Sequence, residues 1–419
     1  MTTAITPATT DRLEPRTAVW VFMAFAAAYF CSALVRAITA TLSPVLTQDF
    51  GLQARDLGLL AGGYFLGFAA MQLPLGTWLD RHGPKRVILC FLSLAVLGCV
   101  AFSLATSFAW LLAARVLVGM GVSACLMAPL TGFRRWLSSG ALLRANSWML
   151  MTGSLGMLAS TLPVQWLMPL TGWRPLFWIL AALIGLAMLL IWWLVPVWRL
   201  APSGGPAAGL DLAAPSYAEV WRSRYFQKMS PLAFFNYGSF VAIQTLWAGP
   251  WMLRVAGYTP LESATGLFYI NAVMLATFWA WGMLNPVLLR LGWSSDRLIT
   301  WIVPLSLLVL AVNIAGGSAT GWLGWALFCM TSSVMGLAQP AVGMAFAPSL
   351  AGRALSGYNL VIFAGIFVVQ WGIGLLVDAF KAAGFSEVAS FQTAMAILLC
   401  CCTASYAYFL WVKADNSPQ

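Results

Sequence analysis

Charge is scarce in this chain: Asp, Glu, Lys and Arg make up 8% of 419 residues. Soluble globular domains carry about 25%. With 61% of residues hydrophobic, so few charged side chains cannot cover the apolar surface of a soluble fold. Histidine is nearly absent. The one His, His82, stands in a basic loop, which excludes a histidine metal cluster and a histidine proton relay within a span. Eight cysteines are present, but no C-x-x-C pair accompanies them, so neither a metal site nor a disulfide framework is indicated. No G-x-x-x-x-G-K-[ST] run occurs, so ATP is not the energy source. No buried Ser-His, paired-acid or metal constellation can be assembled. The chain is read as a non-enzyme without cofactor or metal. The first 17 residues lack the pattern of a cleavable signal.

What the chain has is long apolar stretches. About 20 apolar residues cross the hydrocarbon core of a bilayer. Twelve such stretches are expected, at 18–43, 56–79, 86–106, 108–131, 145–168, 173–196, 229–254, 260–289, 298–316, 321–348, 357–379 and 391–413. The Ala-, Pro-, Gly- and Ser-rich segment 197–228 divides them six and six. The organisation is a tail 1–17, a six-helix bundle 18–196, a cytoplasmic linker 197–228, a second bundle 229–413 and a tail 414–419. The fold class is an all-α membrane protein in two six-helix bundles.

The net charge of +10 is a topological signal. Arg55, Arg174, Arg254 and Lys381 fall on one face, Arg36 and Arg115 fall within spans, and the other sixteen Lys and Arg fall on the opposite face with both termini. The positive-inside rule makes that second face cytoplasmic. No basic stretch sits on a soluble domain, so a nucleic-acid partner is excluded. The partners expected are the lipid bilayer and a small solute, and the chain is expected to be a monomer.

Between the second and third stretches the chain reads G-x-x-x-D-R-x-G-x-K-R: Gly76, Asp80, Arg81, Gly83, Lys85 and Arg86. Gly76 suits close helix approach. Asp80 stands near a helix C-terminus, where an anion is unfavourable for its own helix, and so wants a basic partner or the N-terminus of another helix. Arg134, Arg135 and the start of the eleventh span near Gly357–Asn359 are the candidates. A degenerate echo follows the eighth span, where Arg290 and Gly292 match Arg81 and Gly83 but Leu289 replaces the acid. The fourth span carries Arg115, Gly119 and Gly121 as R-x-x-x-G-x-G.

By these residues the chain resembles the major facilitator superfamily of secondary transporters, over about Val19 to Lys413. The resemblance implies alternating access, with two bundles rocking about a site near the bilayer midplane. It makes the Gly76–Arg86 loop a conformational latch and points Arg115 into the central cavity. The fifth span has Gly153 and Gly156 but lacks the Gly-Pro pair of drug-exporting relatives.

An arginine inside a membrane is costly and marks a functional site. Arg36 and Arg115 are such residues, and no Asp or Glu falls within the expected spans. Two arginines without a buried acid favour an anionic substrate, because a guanidinium pairs bidentately with carboxylate or phosphate. The rival for each arginine is snorkelling to the membrane surface. In the seventh span, Gly249-Pro250 is expected to break the helix at a cavity. Gln244, Trp247 and Trp251 there, with Asn359 and Gln370 in the eleventh span, complete the candidate binding set; for the amides the rival is interhelical glue. The expected function is uptake of a small organic anion across the inner membrane, by proton symport or anion exchange. The alternatives are a neutral aromatic solute or vitamin, drug efflux, or a non-transporting membrane sensor.

Overall fold

The computed structural model describes residues 12–197 and 217–412, and among them the regular structure is helix with no strand. The helices are α1 (Pro15–Phe50), α2 (Ala54–Ser103), α3 (Phe108–Val122), α4 (Ala124–Trp136), α5 (Ser139–Ala159), α6 (Leu162–Thr171) and α7 (Trp173–Leu194). They continue with α8 (Tyr217–Arg222), α9 (Arg224–Leu232), α10 (Gly238–Ala242), α11 (Ala248–Arg254), α12 (Pro260–Arg290), α13 (Ser295–Gly316), α14 (Trp322–Ser332), α15 (Ala338–Met344), α16 (Pro348–Ala382) and α17 (Glu387–Trp411). Nine helical stretches among the described residues are long and apolar enough to cross a membrane. Arg199, Lys413 and most of the expected linker lie outside the described residues. Of that linker, 217–222 and 224–228 are helical.

At 50 residues, α2 would be about 75 Å long if straight, more than twice the ~30 Å hydrocarbon core. It is not straight. Gly83 sits at φ 75° and ψ 165°, a conformation open to glycine and strained for any side chain. The arms on either side both pack on α3. A Cβ on Gly119 would collide with the backbone of Tyr64 in the first arm, and one on Gly121 with Ala95 in the second. Small residues allow this approach, and the chain therefore folds back at Gly83. This puts Gly83 on one face of the molecule, and Gly51, Gly172 and Asp378 on the other.

Two helix irregularities are filled from neighbours. Between α5 and α6 the chain breaks at Thr161 (φ −104°, ψ −111°), two residues before Pro163, which has no N–H to return to the preceding turn. Thr41 of α1 donates its hydroxyl to the freed Ser160 carbonyl at 2.8 Å, so the break is covered by protein. The seventh stretch corrects an expectation. Gly249-Pro250 does not break the helix. Instead two π-helical turns, Ala233–Tyr237 and Ile243–Trp247, precede α11. The wider turn just ahead of Pro250 accommodates its ring and missing donor without interrupting the helix. Gly249 lets α1 approach, since a Cβ there would lie 3.3 Å from the Ala40 carbonyl.

The two halves meet where α1 packs on the seventh stretch, α2 on α16, and α5 and α6 on α12. The α2–α16 seam is graded along its length. Near the Asp378 face, a Cβ on Gly58 would overlap the Gln370 carbonyl, and one on Gly374 the Ala54 carbonyl. Further along, the Phe68 and Phe363 rings pack at a tilt of 37° with centroids 4.2 Å apart, and Asn359 donates to Gln72 at 3.3 Å. Toward the Gly83 face the helices part. A Cβ on Gly76 would meet nothing within 4 Å, so the close approach expected there is absent in this conformation. Leu355, which the register sets opposite Gly76, leans toward Gly343 of its own half, where an added Cβ would lie 3.1 Å from its side chain.

Candidate functional site

Arg36 lies deep in α1, partly buried. Tyr29 is seven residues earlier, two turns along the same helix face. The guanidinium faces the phenolic groups of Tyr29, Tyr64 and Tyr237. Tyr64 comes from the first arm of α2, and Tyr237 from the π turn of the other half. Nη2 of Arg36 lies 3.8 Å from Sδ of Met157 on α5. Nε is buried without a partner, and among the described residues no carboxylate pairs with this cation. A cation held without a counter-ion in a low-dielectric site is costly unless an anion visits it.

Room for Tyr29 comes from α5, where a Cβ on Gly153 would press on the Tyr29 ring. Tyr64 is fixed by a hydroxyl contact to the Ser32 carbonyl at 3.4 Å and by its place beside Phe65, with ring centroids 5.1 Å apart.

Arg115 is placed differently from Arg36. It is 1% exposed. Its Nη1 donates to the Val35 carbonyl at 2.8 Å and its Nη2 to the Arg36 carbonyl at 3.1 Å. Its guanidinium also lies over the Tyr64 ring, 5.2 Å from the centroid. The fork that could hold a carboxylate thus holds the backbone of α1 at the residue that carries the other guanidinium. In this conformation Arg115 neither snorkels nor presents itself to a ligand.

The amide and indole candidates of the second half divide into two groups. Trp247 and Trp251 are fully buried. Their indole N–H groups donate to the carbonyls of Gln370 at 3.0 Å and Thr320 at 3.2 Å. Gln370 Nε2 donates to the Thr245 hydroxyl at 2.9 Å, and Gln244 Nε2 donates to Asn271 at 3.1 Å. These four act within their own half in this conformation. Asn359 instead bridges the halves, accepting from Gln339 at 2.7 Å and donating to Gln72. With Phe68 and Phe363, this amide chain closes the seam between the Arg36 site and the Gly83 face.

At the Gly83 face the loop residues are separate. Asp80, Arg81 and Arg86 are exposed. Among the described residues no hydrogen bond or ion pair joins Asp80 to Arg134 or the Gly357–Asn359 region. Lys85 donates to the Val195 carbonyl at 2.7 Å, tying the loop to the end of α7 in its own half. Partial burial there pushes the Lys85 amine below its ordinary pKa. The anion-at-a-helix-start arrangement expected of Asp80 occurs at the other face. There Asp378 accepts from the backbone N–H groups of Ala54 and Arg55, at 3.2 and 2.8 Å.

Sequence reasoning did not single out Tyr29, Tyr64, Tyr237, Met157 or Gln72. The seven-residue spacing of Tyr29 and Arg36 was the one signal available; the others converge only through the packing of α2, α5 and the seventh stretch. Asp378 falls at the end of an expected span, and nothing in the sequence around it names a partner.

A family profile, that of the Major Facilitator Superfamily, matches residues 25–370. The chain is 28% identical over 284 residues to a gallate transporter of Pseudomonas putida, covering 59% of this chain and 61% of that protein. It is 29% identical over 147 residues to a 4-hydroxybenzoate transporter of Pseudomonas aeruginosa, covering 35% and 33%. These matches thus span less than two thirds of either relative. In architecture it is similar to a bacterial homolog of the human lysosomal transporter Spinster in an inward-facing, unoccupied conformation, with TM-score 0.76 at 18% identity over 95% of this chain and 97% of that one. It is also similar to a D-xylose-proton symporter, with TM-score 0.77 at 12% identity over 96% and 99%. Apolar helices folded into two halves and a profile match across most of the length agree: this multi-pass membrane protein belongs to the Major Facilitator Superfamily of transporters.

Proposed function

We propose that the chain is a secondary active transporter that takes up a small aromatic carboxylate by alternating access. The observation that carries this reading is Arg36, a guanidinium with no carboxylate partner, ringed by phenols contributed by both halves. A carboxylate would pair with the guanidinium. An aromatic ring would pack against the tyrosines, and Tyr237 would report occupancy to the second half. Two relatives transport gallate and 4-hydroxybenzoate, which supports the aromatic class. Arg115 acts as a positioning residue that holds the α1 backbone at Arg36.

The same proposal includes twelve crossings and a monomer in the cytoplasmic (inner) membrane. It keeps both termini, the linker and the Gly83 face cytoplasmic, as the Lys and Arg distribution requires. The described conformation is then closed toward the outside and parted toward the inside. The substrate's own carboxylate carries the proton in symport, or a second anion leaves in exchange. The Gly76–Arg86 loop latches the cytoplasmic face in the opposite conformation. Trp247, Trp251, Gln244 and Gln370 support the cavity from behind.

Purified protein in proteoliposomes should accumulate radiolabelled 4-hydroxybenzoate or gallate down an imposed pH gradient or against internal anion, and should not accumulate the corresponding amides. Equal transport of acid and amide would point to a neutral aromatic solute and sink the anion reading. Asp80→Asn should slow transport several-fold while leaving membrane insertion and thermal stability near those of the parent. A transport rate equal to the parent's would reduce the loop to a topological anchor.

A further inference from the structure

The Asp378 carboxylate links the halves at a point that neither the family match nor the relatives assign. It belongs to α16 of the second half. Its two oxygens take the N–H groups of Ala54 and Arg55, the first two residues of α2 in the first half. The first four N–H groups of a helix have no partner within it. At α2 the other two turn to the Gln53 carbonyl, at 3.1 Å from both Asp56 and Leu57. A residue more than 300 positions away therefore completes this helix start, and an anion is favourable against its positive end. We propose that Asp378 on the α2 N-terminus is the latch that holds the transporter closed at its outer face, and that it opens when the halves rock apart there.

Two further observations support a latch that can release. The first is the grading of the α2–α16 seam, tight at Gly58 and Gly374 beside Asp378 and open at Gly76. The seam is thus already a hinge with one closed end. The second is a cavity of about 580 Å³ against the latch, lined by Thr47, Gln53, Trp247, Arg254, Asp378 and Lys381 among others. A carboxylate pulled off α2 enters a vestibule of mixed lining, where Ser43, Thr47, Gln53, Arg254 and Lys381 stand among apolar side chains, so polar groups and two cations are at hand for the freed charge. The charged neighbours are otherwise engaged or open. Lys381 pairs with Glu387 at 3.2 Å and Arg55 with Asp56 at 3.8 Å, while Arg254 is exposed at the vestibule wall. The latch rests on the alternating-access reading but not on the identity of the substrate.

The test uses the full-length protein in oriented proteoliposomes, with the exposed Cys90 and Cys400 replaced by Ser. Thr47→Cys reports the outer vestibule and Gly76→Cys the inner seam, each by its rate of reaction with a membrane-impermeant maleimide offered from its own side. Asp378→Ala should raise the rate at position 47 about tenfold and lower that at position 76. Asp378→Asn keeps one acceptor oxygen and should act in the same direction more weakly. It carries the test if the Ala variant does not fold. Lys381→Ala, one turn away, should change neither rate. Unchanged labelling in both Asp378 variants overturns the latch, as does an equal rise in Lys381→Ala. If Asp80→Asn shifts the labels while Asp378→Ala does not, alternating access stands and the latch alone fails. No substrate is present, so failure of the aromatic-anion reading leaves these outcomes untouched.

Discussion

Arg36→Gln lowers the affinity for an aromatic carboxylate by roughly 30- to 150-fold, the equivalent of about 2–3 kcal/mol for a lost charge-assisted hydrogen bond. The expectation follows from what Arg36 lacks. Its Nε has no partner, its Nη2 lies 3.8 Å from a thioether, and its polar neighbours are neutral phenols, with Tyr29 as a hydrogen-bond partner. Removing the guanidinium therefore breaks no ion pair and orphans no carboxylate, so the fold should survive. Thermal unfolding without ligand should stay close to that of the parent, while isothermal titration with 4-hydroxybenzoate registers the loss. Arg36→Lys should recover little, since an ammonium cannot reproduce the planar fork. If the Gln variant binds and transports like the parent, the cation is there to order Tyr29 and Tyr237, and the substrate is neutral.

Arg115→Gln should show the reverse balance. Both Nη groups hold consecutive carbonyls of α1 and the side chain is sealed from solvent. Truncation therefore removes two charge-assisted bonds and leaves a void, at a cost of about 2–4 kcal/mol in stability. The drop should appear in thermal unfolding of the unliganded protein. Binding should suffer less than in Arg36→Gln, through a shift of the α1 backbone at residue 36. Arg115→Met should be milder than Gln, because both are shorter than Arg and remove the buried charge, but Met leaves no amide to be paired in the sealed space. An Arg115→Gln protein with parental stability but no measurable binding would instead make Arg115 a direct ligand of the substrate.

The difference between these two arginines explains what was legible in the sequence. Hydropathy is a local property, so apolar stretches and the Gly83 turn could be read residue by residue; Gly83 announced itself by the D-R-x-G-x-K-R spacing around it. Which arginine faces a ligand is not local. Arg36 and Arg115 look alike in composition, and only the crossing of α1 over α3 gives one to the backbone and leaves the other free. The tyrosines come from positions 29, 64 and 237, which no periodicity connects. Trp247 and Trp251 looked like cavity walls because indoles near a Gly-Pro pair suggest a break. The π turn before Pro250 absorbs the irregularity without opening the helix, and their N–H groups are satisfied within their own half. Asp378 could be seen at a helix end, but its partner N–H groups belong to the start of a helix far away in sequence, which a reading along the chain cannot pair.

In the proposed alternating-access cycle, the cation at Arg36, which no carboxylate pairs with among the described residues, also sets how charge moves. With Arg115 held against the α1 backbone beside it, an empty site carries two positive charges, and a site holding a monocarboxylate carries one. When the bundles swing, the membrane field moves from one side of the site to the other and acts on whatever net charge the site holds. The field can contribute at most about 2.3 kcal/mol per 100 mV for each charge, and the share owed to Arg36 falls on the return of the empty carrier alone. With the cell interior negative, the empty site is drawn to the inward-facing position, the one in which the halves are parted at the Gly83 face. Delivery of the bound monoanion moves one positive charge fewer than the return of the empty carrier, and resetting the carrier is the step that the membrane potential opposes.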